Sequence, residues 1–318
     1  MAANPVIGGD ITKRKATPYI FVAPFFVLFL TFVAWPLCHS IWLSMHDTIG
    51  LESRVFVGGQ NFVDLAQDAS FWQSCKNTLV FTLSSLFIQL PLSLILALVL
   101  NSKRLRGTLF FRFAFFSPVL VAGVFIAIIF GLIFNHEYGL LNHLIRMRWV
   151  MAPLEFLGVP ALLESFGVSI SSMDWLRDEK LVLSAIVITG VWRWTGFNMI
   201  YFLAGLQSVR QELYEAASID GAGWWHSFVH VTVPGLRPII VFVVVMTTIG
   251  SVQLFDLPYI LLGGGGPNDA GLTVVMYLYR TGFQYMRLGY AATIGWALFA
   301  LVFVLALIQM KSLSRTEE

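Results

Sequence analysis

The sequence predicts an all-α membrane protein with six transmembrane helices, and three observations lead there. The 318-residue chain is 57% hydrophobic and 12% charged, about half the charged share of an ordinary soluble domain. Its mean hydropathy is +0.77. It contains six runs near the length of about 20 apolar residues that a bilayer crossing needs, and Lys and Arg concentrate in alternate loops between them.

Residues 1–18 read as a polar tail, with Lys13, Arg14 and Lys15 just before the first run. The first span is placed at 19–45. It is too long for a cleaved signal peptide, and no small-residue cleavage site follows WPLCHS. Pro24 and Pro36 are tolerable there, because neighbours in a membrane bundle re-satisfy the freed carbonyls. An acidic loop with Asp47, Glu52, Asp64 and Asp68 leads to a second span at 77–100. The basic NSKRLRG loop at 101–107 leads to a third span at 109–134. A longer loop carries Glu137, Glu155, Glu164, Asp174, Asp178 and Glu179, with Arg146, Arg148, Arg177 and Lys180 among them. The fourth span is placed at 181–206, the fifth at 238–262 and the sixth at 288–310. Arg210 and Arg237 flank the 207–237 loop, and Lys311 and Arg315 lie in the closing 311–318 tail. The positive-inside rule then puts both termini, the 101–107 loop and the 207–237 loop in the cytoplasm. Cys38 and Cys75 form neither a disulfide framework nor a metal set.

The 207–237 loop is a polar island, EAASIDGAGWWHSFVHVTVP at 215–234, between two apolar runs. Ser208 and Gln211 fit a capping box, which predicts a short helix over about 209–219. Glu212 and Glu215 suit the first half of that helix, where the dipole favours anions. Ala216 and Ala217 keep one face slim enough for another backbone to approach. Asp220 and Gly221 stand at its end, Gly221 and Gly223 break it, and a second short helix over 224–233 is expected to stop at Pro234. Read from physics alone, this is a connector with an interfacial amphipathic helix.

The order of residues says more. ELYEAASIDGAGWWHSFVHVTVPGLRP resembles the EAA loop of ABC importer permeases, on Glu215, Ala216, Ala217, Gly221, Val231 and Pro234. Val209-Arg210 stands where family members often carry Pro. VGGQNF (57–62), FWQSCKNTLVFT (71–82), YGLLN (138–142), GFNMIYFLAGLQS (196–208), FDLPYILLGGGGP (255–267) and YLYRTGFQYMRLGYAA (277–292) are similar to the carbohydrate branch, the maltose and glycerol-3-phosphate permease family. The resemblance runs from about residue 17 to the end and is weakest at 143–180. It implies a type I importer permease fold. It also implies that the loop is the coupling helix, docking on a separate ATPase through Glu212, Glu215, Ala216, Ala217, Asp220 and Gly221. The implied partners are a second homologous permease, a dimer of ATP-binding subunits that holds the ATP and Mg, and an extracytoplasmic substrate-binding protein. No cofactor is expected on this chain, and no nucleic-acid partner.

The residues agree with a chain that performs no catalysis itself. There is no G-x-x-x-x-G-K-[ST], and GGGGPNDAG (263–271) lacks the Lys and the following helix start that a phosphate cradle needs. His226 and His230 have a zinc-like spacing without a third ligand or an HExxH glutamate. G-x-S-x-G is missing. Ionisable residues inside spans are expensive, which singles out Arg193 and Asp256 as an ion pair or as substrate contacts. Trp194, Asn198, Tyr201, Gln253, Asp256, Tyr259, Thr293 and Trp296 form a polar and aromatic set in spans four to six. Such residues supply the hydrogen bonds and flat faces a sugar needs; they also serve as interface belts and helix–helix glue. Gln253, Asp256 and Tyr259 are spaced by three, which predicts one shared helical face.

These observations point to the membrane subunit of an ATP-driven, binding-protein-dependent importer for a disaccharide, an oligosaccharide or a related polyol. A secondary transporter would need an inverted repeat and a coupling-ion site, and neither is visible. A membrane scaffold that only recruits a cytosolic partner is the other alternative.

Overall fold

The computed structural model describes residues 11–50, 53–102, 105–156, 159–160, 165 and 173–314. Glu52, Lys103, Arg104, Glu164, Arg315 and the side chains of 13–15, all part of the charge pattern above, lie outside the described residues. The chain divides into two units, residues 1–66 with 281–296, and residues 67–280 with 297–318.

In the first unit α1 (Ile11–Phe29), a π turn (Leu30–Ala34) and α2 (Trp35–Ser44) run on as one helix. It begins inside the expected tail. Phe21, Phe25 and Trp35 are all exposed along it, a surface suited to lipid rather than water. A hairpin follows, β1 (His46–Ile49) antiparallel to β2 (Ser53–Phe56), with His46 opposite Phe56 and Ile49 opposite Ser53. This is a small departure from the all-helical expectation. Thr48, Ile49 and Val55 favour a pleated backbone, and helix periodicity does not register so short a pair. Next comes α3 (Gln60–Gln67), where the Asn of VGGQNF acts as a clip. Asn61, 2% exposed, donates to the carbonyls of Ser44 and His46 at 2.8 and 3.0 Å. The first part of α16 (Leu288–Ser314) completes this unit, with the Gly289 amide donating to Thr48 Oγ1 at 2.8 Å.

In the second unit Asp68 caps α4 (Ala69–Ser84), accepting from the Ser70 and Phe71 amides. A π turn (Ser85–Gln89) joins α4 to α5 (Leu90–Asn101). Then come α6 (Thr108–Leu120), α7 (Gly123–Ile133), α8 (Leu140–Arg146) and α9 (Arg148–Phe156). The central helix α10 (Val182–Ser208) packs chiefly on α5 and α6. After it come α11 (Gln211–Ile219), α12 (Trp224–Ser227), a π turn (Phe228–Thr232), α13 (Val233–Val252), α14 (Asp256–Leu262) and α15 (Val274–Tyr279).

Among the described residues four helical stretches are long and apolar enough to cross a bilayer: Phe21–Ser44, Ala69–Asn101, Trp224–Leu262 and Leu288–Lys311. The bent pair α6 and α7 makes a fifth if it counts as one span. At 27 residues α10 is about 40 Å long, enough to cross a bilayer. Its polar middle, not its length, keeps it out of the apolar set.

Prolines shape the helices differently from the expectation. Pro234 does not stop a helix; α12, the π turn and α13 run through it. The reason recurs at three places. Pro36, Pro91 and Pro234 each stand two residues after a π turn, at Leu30–Ala34, Ser85–Gln89 and Phe228–Thr232. A proline ring clashes with the carbonyl four residues back and brings no N–H for it. Widening the preceding turn to an i−5 bond, such as Leu90 N–H to Ser85 O, gives the ring room.

Two backbone breaks were invisible to hydropathy. The third span is not straight: α6 and α7 meet at 99°. Pro118 lies in the last turn of α6, and Val121 and Ala122 are extended. The fifth span is interrupted after Val252, where Gln253 is a helix cap and Phe255 has φ −137. Gln253 and Asp256 therefore do not share one helical face, unlike the expectation from their spacing by three.

Apolar residues gather around both ends of α10. Ala185 and Ile186 join Phe81, Ile126, Phe130 and Leu257 in one cluster. Met199, Phe202 and Leu206 join Leu90, Leu236 and Val243 in the other. Between them α10 carries Thr189, Arg193, Thr195 and Asn198, all buried. That polar stretch is where a cavity opens.

The glycine run after α14 is a tethered turn. Gly263 ends α14 at φ 64. Asn77 donates to the Asp269 and Leu272 carbonyls at 3.0 Å, and Arg280 grips Asp269 with two bonds of 2.7 and 2.8 Å.

Candidate functional site

A cavity of about 350 Å³ lies within the second unit, at the low end of small-molecule sites. Trp194, Phe197, Tyr201 and Phe242 form an aromatic side, with Tyr201 edge-on to Phe197 at 5.1 Å and to Phe242 at 5.3 Å. Asn198, Thr247, Ser251, Gln253 and Asp256 supply polar groups. Asn198 donates to Thr247 Oγ1 at 3.4 Å. No lysine or arginine is among the lining residues.

At the edge of this cavity Arg193 Nη1 meets Asp256 Oδ2 at 3.1 Å. The arginine side chain is 10% exposed and the aspartate 51%. Arg193 also lies over the Trp194 ring at 4.9 Å. The pair sits where both broken spans bend. Asp256 opens α14, and Gly123 opens α7 so close by that a Cβ on it would overlap the Asp256 carboxylate. Of the two readings left open for Arg193 and Asp256, the ion pair exists, and Asp256 reaches the cavity as well.

The structure brings Trp194, Asn198, Tyr201, Gln253 and Asp256 together. It leaves Tyr259 out of the lining, stacked on Phe255 at 5.0 Å and edge-on to Tyr279 at 5.4 Å. Trp296 belongs to the first unit, where its indole N–H donates to Ser40 Oγ at 3.1 Å. Thr293 is there too, buried, bonded to the Gly289 carbonyl. Sequence reasoning missed Phe242, Thr247, Ser85 and Gln89. Gln89 had a signal: a carboxamide set between Ile88 and Leu90 in the middle of the second span, two residues before Pro91.

The second feature is the 211–232 loop. The capping box does not form. Helix α10 continues to Ser208, whose hydroxyl donates back to the Gly205 carbonyl at 2.7 Å. Arg210 takes the N-cap position without a side-chain bond, and Gln211 reaches forward to Glu215 at 2.9 Å. Helix α11 buries no residue, and Glu212, Glu215, Ala216 and Asp220 are exposed. Its C-terminus is a Schellman motif: the Ala222 amide bonds the Ala217 carbonyl at 2.9 Å and the Gly221 amide the Ser218 carbonyl at 3.1 Å. Gly221 has φ +78, a conformation glycine adopts without penalty. Tyr214 ties α11 to the π turn through Thr232 Oγ1 at 3.1 Å. Between the two short helices lies a cleft of about 410 Å³ bordered by Ala217, Asp220, Gly221 and Ser227. His226 and His230 stack there at 4.0 Å. Among the described residues no three His, Cys, Asp or Glu side chains are placed to share a metal ion. Ile219, at 86% exposed, projects from this polar loop.

Residues 76–316 match a family described as the binding-protein-dependent transport system inner membrane component. The chain is 36% identical over 299 residues to the arabinooligosaccharides transport system permease protein of Bacillus subtilis, covering 94% of this chain and 89% of that protein. It is 35% identical over 293 residues to the lactose transport system permease protein of Rhizobium radiobacter, covering 92% of each. Its fold is similar to that of a chain in the crystal structure of a bacterial ABC transporter involved in the import of the acidic polysaccharide alginate. There the TM-score is 0.77 at 23% identity, over 96% of this chain and 98% of that one. The architecture is thus the type I importer permease fold, in a multi-pass membrane protein. The chain belongs to the family of inner membrane components of binding-protein-dependent transport systems.

Proposed function

We propose that this chain is one of two permease subunits in an ATP-driven importer of a neutral disaccharide or oligosaccharide. The observation that carries the reading is the cavity: an aromatic side facing hydroxyl-directed polar groups, with no cation among its lining residues. Flat rings stack on sugar faces, and Asn, Gln and Asp bond hydroxyls. With no cation among the lining residues and Arg193 at the edge already held by Asp256, the site suits a neutral sugar, unlike the acidic polysaccharide of the structural neighbour. The names of the arabinooligosaccharides and lactose relatives support the same class. An extracytoplasmic binding protein delivers the sugar. Trp194, Asn198, Tyr201, Gln253 and Asp256 contact it. The 207–237 loop faces the cytoplasm and docks on one of two ATP-binding subunits, which hold the ATP and Mg. Exposed Glu212, Glu215, Ala216 and Asp220, with the Gly221 turn, form the docking surface, and exposed Ile219 gives it an apolar anchor.

Reconstituted vesicles test this directly. With partner permease, ATPase and binding protein present, uptake of lactose or arabinotriose should require ATP. Gly221→Val forces a β-branched residue into a positive φ, strain of about 1–3 kcal/mol concentrated in the turn. Together with Glu215→Ala it should uncouple uptake and weaken ATPase binding while the chain stays in the membrane. Substrate-stimulated ATP hydrolysis at wild-type level in both variants would remove the loop from this role.

Orientation has its own test. In a chain with Cys38 and Cys75 replaced, single cysteines at positions 105 and 222 should react only with reagents on the cytoplasmic side, and one at 137 only from outside. Labelling of 222 from outside would leave the loop beyond any ATPase's reach.

A further inference from the structure

The cavity has a polar wall on the second span that the fourth and fifth do not supply. It is the π turn Ser85–Gln89, which packs against α10 and α13. Ser85 is 2% exposed and Gln89 3%, and both side chains line the cavity. Of the other polar groups there, Asn198 bonds Thr247 and Asp256 bonds Arg193. Among the described residues neither the Gln89 carboxamide nor the Ser85 hydroxyl has a hydrogen-bond partner. Neither is among the fully enclosed, unpartnered polar atoms of the described residues, so both polar ends open onto the cavity. An occupant of the cavity can supply the partner that each lacks.

The local backbone fits that role. π turns inside α-helices recur at functional sites. This one accommodates Pro91, and its first and last residues, Ser85 and Gln89, both reach the same cavity. A carboxamide offers one acceptor oxygen and a two-donor nitrogen side by side. A neutral vicinal diol presents the matching donor and acceptor.

We infer that Gln89, assisted by Ser85, contacts the transported sugar and sets specificity for a pair of adjacent hydroxyls. The inference rests on the reading of the cavity as the sugar site. Its test uses the assembled complex in vesicles, with lactose and arabinotriose as probes at saturating binding protein. Gln89→Leu keeps the bulk and removes the carboxamide. It should lower uptake of the transported probe by about tenfold, without changing the melting temperature of the solubilised complex. Gln89→Asn, which restores a carboxamide on a shorter stem, should recover part of the loss, and Ser85→Ala should lose less than Gln89→Leu. Wild-type uptake in Gln89→Leu, while Asn198→Ala is impaired, would overturn the inference and leave the sugar site standing. Loss of uptake with an equally lowered melting temperature in both Gln89 variants would make the residue a packing element and overturn it too. Failure of the wild-type complex to take up either sugar would remove the sugar site and the inference together.

Discussion

Gly196→Val is expected to leave almost no assembled permease in the membrane. Helix α10 crosses α6 at Gly196, and a Cβ there would overlap the backbone carbonyl of Phe115 and stand 3.0 Å from the Phe116 nitrogen. The obstacle is main chain, so no side-chain rotation relieves it; one helix must move. Helix α10 is held on both sides of the crossing, by the Ile186 cluster toward one end and the Met199–Leu206 cluster toward the other. Overpacking usually costs about 1–3 kcal/mol, and a forced backbone shift at a central helix crossing should exceed about 4 kcal/mol. The measurement is membrane abundance together with size-exclusion profiles of the solubilised complex. Gly131→Val is the control, because a Cβ at Gly131 has no atom within 4 Å. Equal yields of monodisperse complex from both variants would show that α10 and α6 do not meet this closely.

The next largest effect should come from splitting the Arg193–Asp256 pair, and it should be unequal. Arg193 is the buried partner, and its Nε has no hydrogen-bond partner among the described residues. Asp256→Leu therefore strands a guanidinium inside the bundle. Breaking a buried pair from one side costs about 3–5 kcal/mol; the half-exposed aspartate reduces that to about 2–3 kcal/mol. Arg193→Leu strands a carboxylate that already reaches the cavity, so it should cost less. The double variant should be more stable than Asp256→Leu alone, since no charge is left unpaired. Thermal melting of the solubilised complex across this cycle decides it. Equal losses in the two single variants, or a double variant worse than either, would mean the pair does not hold the bends together. Uptake should fall in every variant that lacks Asp256, because that side chain also lines the cavity.

Much of the fold is legible along the chain, since lipid and water sort residues by hydropathy alone. Each of the six expected spans overlaps helical backbone, but the second stretch begins at Ala69 rather than 77 and the fifth at Trp224 rather than 238; Gly221 occupies the left-handed turn for which its place after Ala216-Ala217 suits it. The errors share a cause. Hydropathy reports which residues tolerate lipid and is silent about whether their backbone is continuous. The run at 109–134 is apolar throughout, yet the chain bends at Val121 and Ala122 after Pro118. Pro234 reads locally as a stop, yet the π turn before it carries the helix on. Ser208 and Gln211 have capping-box spacing, but burial of α10 extends that helix through the serine and takes its hydroxyl.

The site divides along the same line. By itself the sequence determined the membrane class and the EAA-type loop, because apolar run length and residue order are local properties of the chain. It also marked Trp194, Asn198, Tyr201, Gln253 and Asp256 as polar or aromatic residues misplaced in lipid. Only the tertiary structure decided that these five share a cavity while Tyr259 and Trp296 pack elsewhere, and that Gln89 and Ser85 join them from the second span. A wall built from α10, the π turn and the end of α13 depends on which helices touch and where each is broken. The cavity gathers residues up to 175 positions apart, Phe81 and Asp256, and no local pattern encodes that gathering.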